Sequence, residues 1–236
     1  MCIRDRGTSD AIFNNFSAIV DSSDFNAIIS SSNRFGLSDL TTVALGLHKR
    51  IGTLGHFGLS ITDYGFDEFS DQNVSIKYAK PLSSKLNISG EFGVNRISIE
   101  EFGSQTTVIY KLGLYTQLNK DLSFGVLISN PERISIEANT QIISALAIGI
   151  KYNVSKKARV FGEVSKEIEE DIDGRVGIEY LLHPKFCLQA GYSTLNGQSG
   201  FGFTYKISKT IILDSSVRYH SVLGLSPAIS LKYTST

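Results

Sequence analysis

IGIKYNVSKKARVFGEV, from Ile148 to Val164, is the stretch on which the fold turns. In an extended chain Ile148, Ile150 and Tyr152 share one face, with Gly149 and Lys151 on the other. A short polar turn, Ser155–Lys157, follows, and a second alternating run begins at Ala158. The same phrase recurs as VSIKYAKPLSSKL (Val74–Leu86), VGIEYLLHPKF (Val176–Phe186), FGFTYKISKTI (Phe201–Ile211) and, at the end of the chain, AISLKY, which stops at Tyr233. Each run has apolar residues at every second position, small or charged ones between them, and a tyrosine last. Period two with β-branched and aromatic residues predicts strands with one apolar and one polar face.

Working outward, strands run into the short turns near Leu47, Tyr78, Leu118, Tyr152, Tyr180, Tyr205 and Tyr233, and leave again near Phe25, Leu54, Leu86, Leu122, Ala158, Phe186 and Ile211. The pattern predicts an all-β, up-and-down antiparallel transmembrane β-barrel of about 14 strands, at ~9–11 residues per membrane strand. At their other ends the strands reach connections read as longer and more polar: DYGFDEFSDQN, NPERISIEANTQ, EIEEDID, STLNGQSG and HSVLGLS. LNISGEFGVNRISIE changes phase at Arg96, which predicts a β-bulge or the start of an extension beyond the membrane. EVSKEIEE loses its apolar face early and predicts a short strand.

The alternative is a soluble β-sandwich. Two features weigh against it. The polar-facing positions are small (Ser75, Gly149, Gly177, Gly202, Ser230) and their charges mix signs, as suits a confined interior. The tyrosines also gather at one end of successive strands, where a membrane boundary would hold the ring in the apolar layer and the hydroxyl among headgroups. Tyr78, Tyr152, Tyr180, Tyr205 and Tyr233 are therefore candidate membrane-interface aromatics. Lys77, Glu91, Lys151, Glu163, Glu179 and Lys232 are candidate lumen-facing residues. They either pair with one another or with the N-terminal segment, or line a pathway and set its charge preference. Their balanced signs favour pairing. Short turns belong on the periplasmic side and long loops outside.

The chain has 236 residues, 23 basic and 23 acidic, so its charge gives no case for nucleic acid. No apolar run approaches the ~20 residues of a spanning helix. Cys2 and Cys187 are too few and too far apart to read as a disulfide framework. MCIRDRGT, residues 1–8, resembles a translated adapter remnant, an artefactual or truncated leader with any signal peptide missing. Residues 9–24 are expected to form an N-terminal hatch-like segment and residues 25–236 the outer-membrane barrel, located in a Gram-negative outer membrane among its lipids and lipopolysaccharide.

No enzyme chemistry is legible: there is no HExxH, no GxSxG elbow and no Cys/His cluster. His48, His56, His183 and His220 are scattered near turns and strand ends, and no cofactor is implied. EEDIDG places Glu169, Asp171 and Asp173 at alternate positions of a calcium-loop pattern, a weak metal candidate, but position twelve is Tyr180 rather than glutamate. A solvated outward hairpin is the simpler reading.

SNRFGLSDLTTVALGL, ITDYGFDEFSDQNVSIKYAKPLSSKL, SFGVLISNPERISIE and LGLSPAISLKY resemble Bacteroidota outer-membrane barrels of the PorV/PorQ group, itself similar to FadL-type transporters. The resemblance implies a fourteen-stranded barrel. It also implies that AIFNNFSAIV (Ala11–Val20) packs inside it, although Phe16 stands where the family has proline. Two roles are implied: a FadL-like channel or transporter for small or hydrophobic molecules, or a non-transporting component of type IX-like secretion or surface assembly with secretion-system partners.

Overall fold

The computed structural model describes residues 8–130, 144–168, 170–195 and 197–235. Fourteen strands form one closed antiparallel barrel. They are β1 (Phe25–Asn33), β2 (Thr41–Ile51), β3 (Gly55–Phe66), β4 (Phe69–Pro81), β5 (Leu86–Ile99), β6 (Gly103–Gln117), β7 (Leu122–Ser129), β8 (Ala145–Asn153), β9 (Ala158–Glu167), β10 (Asp173–His183), β11 (Phe186–Ser193), β12 (Gln198–Lys206), β13 (Ile211–His220) and β14 (Gly224–Thr234). Each strand pairs with its sequence neighbours, and β1 closes on β14 from Asn26↔Thr234 to Ser32↔Ala228. Closure gives every strand a neighbour on both sides, although β6 extends beyond its pairing with β7, which begins at Lys111↔Ser129.

The recurring Ser/Asn turns share one device. Ser83 Oγ accepts from the Lys85 and Leu86 amides, and Asn119 Oδ1 from Asp121 and Leu122. Ser155 Oγ accepts from Lys157 and Ala158, and Ser208 Oγ from Thr210 and Ile211. A short side chain thus satisfies two amides that the turn leaves without ladder partners. That is why the phrase after each tyrosine reads alike.

Opposed residues share a face, so register sorts the wall. On β4, Gln72, Val74, Ile76, Tyr78 and Lys80 point outward, and Asp71, Asn73, Ser75 and Lys77 inward. Ile76 is 61% exposed and lies midway between the polar Gln72 and Lys80. These two are separated by about 27 Å of strand at ~3.4 Å per residue. At a tilt of ~35–45° the apolar band is about 20 Å tall, close to the ~25 Å of outer-membrane barrels.

Three sequence expectations change. LNISGEFGVNRISIE contains no bulge: β5 keeps unbroken register with β4 and β6 from Leu86 to Ile99, and the phase change at Arg96 marks where the strand leaves the apolar band. DYGFDEFSDQN is not a long loop, because β3 and β4 continue as a hairpin to the Phe66↔Phe69 pair. Its polar residues alternate on a strand, with Gln72 Nε2 donating to Asp63 Oδ1 across the ladder. β9 runs ten residues to Glu167 and pairs fully with β8. Most of NPERISIEANTQ lies outside the described residues.

Candidate functional site

The site is the barrel interior, and the N-terminal segment fills one end of it. Two 3-10 turns, Ser9–Ile12 and Phe16–Asp21, enter before β1. Ala11, Ile12, Asn15, Phe16, Ser17, Ala18 and Ile19 are 0–2% exposed. They pack with Ile28, Ala79, Tyr115 and Phe161 from strands around the barrel. These segment residues are shielded from solvent inside the closed wall.

What receives the segment is a socket of glycines. A Cβ on Gly58 would lie 2.7 Å from the Phe16 ring, one on Gly46 2.9 Å from Ile12 Cγ2, and one on Gly113 2.3 Å from Asn15 Oδ1. Real Cβ atoms do not approach so closely, so only glycine lets the segment seat against β2, β3 and β6. Polar contacts fix it in register. Asn15 Nδ2 donates to the Leu114 and Val126 carbonyls at 3.1 Å each, and its Oδ1 accepts from Ser17. Lys232 Nζ binds the carboxylates of both Asp10 and Asp214, tying the segment to β14 and β13.

The predicted lumen residues are all buried. Lys77 and Glu91 are cross-strand neighbours at 2.8 Å, and Glu91 also meets Lys111 on the next strand at 3.1 Å. Glu163 accepts from Arg175 at 3.1 Å and Glu179 from Arg159 at 3.0 Å, again directly across the ladder. Lys151 is buried on β8, between Ser123 on β7 and Phe161 on β9. Tyr78, Tyr152, Tyr180, Tyr205 and Tyr233 are 40–48% exposed on the outer face. Tyr78 donates to the Leu54 carbonyl at 2.7 Å and packs on Phe57, and Tyr233 packs on Phe25.

Of the candidate metal loop, Asp173 lies on a strand. It opens β10, is buried, and accepts from Ser193 Oγ at 2.8 Å, the Leu195 amide at 3.1 Å and Arg175 Nε at 2.5 Å. Asp171 stays exposed, and Glu169 lies outside the described residues. Among the described residues no His, Cys, Asp and Glu side chains group as metal ligands would. Cys187 is a buried free thiol, and Cys2 lies outside the described residues.

Sequence reasoning missed the histidines. His48 and His56 are buried and stacked, with Nε2 of His48 2.9 Å from Nδ1 of His56. Asn26 Nδ2 lies 2.9 Å from His48 Nδ1 and donates to Ser22 Oγ, so the chain runs from wall to segment. Both histidines sit at inward positions of β2 and β3, and inward parity was the signal available. The glycine socket was legible in the same way, since Gly46, Gly58 and Gly113 share that parity.

Open space remains beside the segment. One cavity of about 220 Å³ is lined by Phe161, Gly177, Gly191, Gly200, Gly202 and Arg218, among others. A polar cavity of about 460 Å³ adjoins it around Asp173, Arg175, Ser193 and Gln198. Another of about 310 Å³ lies between Lys77, Glu91, Asn95 and Arg34.

No protein-family model matches the chain, and no curated protein matches it in sequence. Its fold is shared with solved barrels. It is similar to the toluene transporter TbuX of Ralstonia pickettii, with a TM-score of 0.73 at 10% identity over 99% of this chain and 97% of that one. It is similar to a Pseudomonas aeruginosa FadL homologue, with a TM-score of 0.73 at 9% identity over 97% and 94%. The monoaromatic hydrocarbon channel CymD gives a TM-score of 0.70 at 12% identity over 96% and 93%.

Proposed function

We propose that the protein is an outer-membrane channel for small molecules, hydrophobic ones included, and not an enzyme. The observation that carries this reading is the pairing of two surfaces: an apolar outer band ending in a tyrosine ring, and a polar interior that keeps cavities beside the seated N-terminal segment. In this reading the tyrosines form the lipid interface and the inward charges line the lumen. Toluene and monoaromatic hydrocarbons are the cargo named for similar barrels, and this chain is read as working in that class.

Ile76→Arg tests the lipid contact. At mid-band the arginine should cost about 2–4 kcal/mol of folding stability in phospholipid vesicles. On a water-facing strand of a soluble protein the same exposed position would tolerate it within ~0.5 kcal/mol. Urea titration in vesicles separates the two outcomes. The channel role is tested by swelling of proteoliposomes in isosmotic small solutes, with the parent and with a Gly58→Leu/Gly113→Leu protein whose segment is displaced. Swelling of either faster than in protein-free vesicles supports transport.

Absence of swelling with every solute would favour a second reading, a non-transporting component of type IX-like secretion or surface assembly. Its support is the resemblance to the PorV/PorQ group and the filled end of the barrel.

A further inference from the structure

Arg218 differs from most of the inward cations of the wall. Lys77, Lys111, Arg159 and Arg175 each face a carboxylate across the ladder, whereas Arg218 stands between Gly200 and Ser226. Gly200 leaves room there: a Cβ in its place would come 3.8 Å from Arg218 Cγ. Arg218 lines both the 220 Å³ and the 460 Å³ cavities, and also a third of about 120 Å³ shared with Arg34, Gln198, His220 and Ser226.

Arg34 follows β1 in the turn to β2, and its guanidinium lies 4.8 Å over the Tyr64 ring. Stacking of this kind uses the face of the guanidinium and leaves its N–H edge for a ligand. The turn is fixed by Arg34 N donating to the Leu40 carbonyl and by Phe35 N donating to Ser226 Oγ at 3.0 Å. Phe35 also packs edge-on against His220. Among the described residues neither guanidinium has an ion-pair partner. Asp173 and Glu163 are taken by Arg175, and Asp71, which lines the 310 Å³ cavity with Arg34, accepts from Asn95 Nδ2.

The remaining groups are donors too. His220 Nδ1 accepts from the Val222 and Leu223 amides, which places the proton of the neutral ring on Nε2. Ser226 Oγ accepts from Phe35, so its hydroxyl hydrogen is available, and Gln198 brings an amide N–H. A 120 Å³ cavity edged by two guanidiniums and three neutral donors has the chemistry of an oxyanion site.

We propose that Arg34 and Arg218 form a binding site for small carboxylate anions at the mouth opposite the tyrosine ring. The site makes the barrel prefer anionic over cationic solutes, which deepens the channel reading and rests on solutes reaching the lumen from that mouth.

The test is 19F NMR of the full chain in detergent micelles, with trifluoroacetate as probe and 2,2,2-trifluoroethanol as its neutral counterpart. Trifluoroacetate should broaden saturably while trifluoroethanol does not. Arg218→Gln and Arg34→Gln should each weaken trifluoroacetate binding about tenfold. Lys120→Gln, in a turn at the other end, should leave it unchanged. The heat-dependent gel shift of each variant shows that the barrel is folded. Equal broadening of both probes, no saturation, or full binding by folded Arg218→Gln would overturn the proposal. Displacement of trifluoroacetate by inorganic phosphate at lower concentration would overturn the carboxylate assignment in favour of phosphate. Because binding is read without conduction, a protein that binds trifluoroacetate but passes no solute defeats the transport reading and leaves this one standing.

Discussion

Replacing Glu91 by leucine should destabilise the barrel by about 3–5 kcal/mol, the usual cost of removing one partner from a buried ion pair. Lys77, whose side chain is 1% exposed, would keep its charge inside the wall with no carboxylate beside it. Lys111 would lose its partner as well, but with a quarter of its side chain exposed it retains access to water. The second substitution Lys77→Met should therefore restore most of the loss, since two apolar side chains of similar volume remove both the attraction and the desolvation cost. Urea unfolding in vesicles measures all three proteins. A Glu91→Leu protein as stable as the parent would mean that the lumen there is wet enough to screen the pair.

The second large effect concerns the glycine socket. Leucine at Gly58 and Gly113 places side-chain atoms where the Phe16 ring and Asn15 side chain now sit. On the wall a Cβ at these positions first meets the Ser89 hydroxyl, which can rotate away, and Lys77 Cβ at 3.3 Å, so the closest fixed obstacle is the segment. The segment should leave its seat. A reporter cysteine at Ser17, a fully buried position, should be shielded from an aqueous maleimide in the parent background. In the Gly58→Leu/Gly113→Leu background it should react at least about tenfold faster, because exposure then no longer requires local opening. Cys2 and Cys187 also carry thiols, so each background needs both replaced by alanine first.

Much of this architecture was written in parity. The short-turn ends Leu86, Leu122, Ala158 and Ile211 are legible from the Ser/Asn turns, and Phe25 and Phe186 from the alternation that follows them; each of the six opens a strand. The opposite ends were harder, because beyond the apolar band both faces of a strand become polar and alternation fades. Asp63, Gln72 and Arg96 look like loop residues for that reason, although they lie on strands. The interior divides in the same way. Lys77 and Glu91 announce themselves as inward charges, but their pairing depends on register between β4 and β5, which turn length alone leaves open. His48 and His56 lie eight positions apart on antiparallel neighbours, and their contact follows from that same register. The fit of Asn15 and Phe16 to three glycines spread over β2, β3 and β6 is a tertiary fact with no local signature.

Single-channel recording in planar bilayers, on the parent protein beside the Gly58→Leu/Gly113→Leu variant, bears most directly on a membrane barrel closed by its own N-terminal segment. The expected result is a parent that is silent or nearly so and a variant that shows discrete conductance steps. Equal, frequent steps from both proteins would contradict it, because the segment would then not be what closes the lumen.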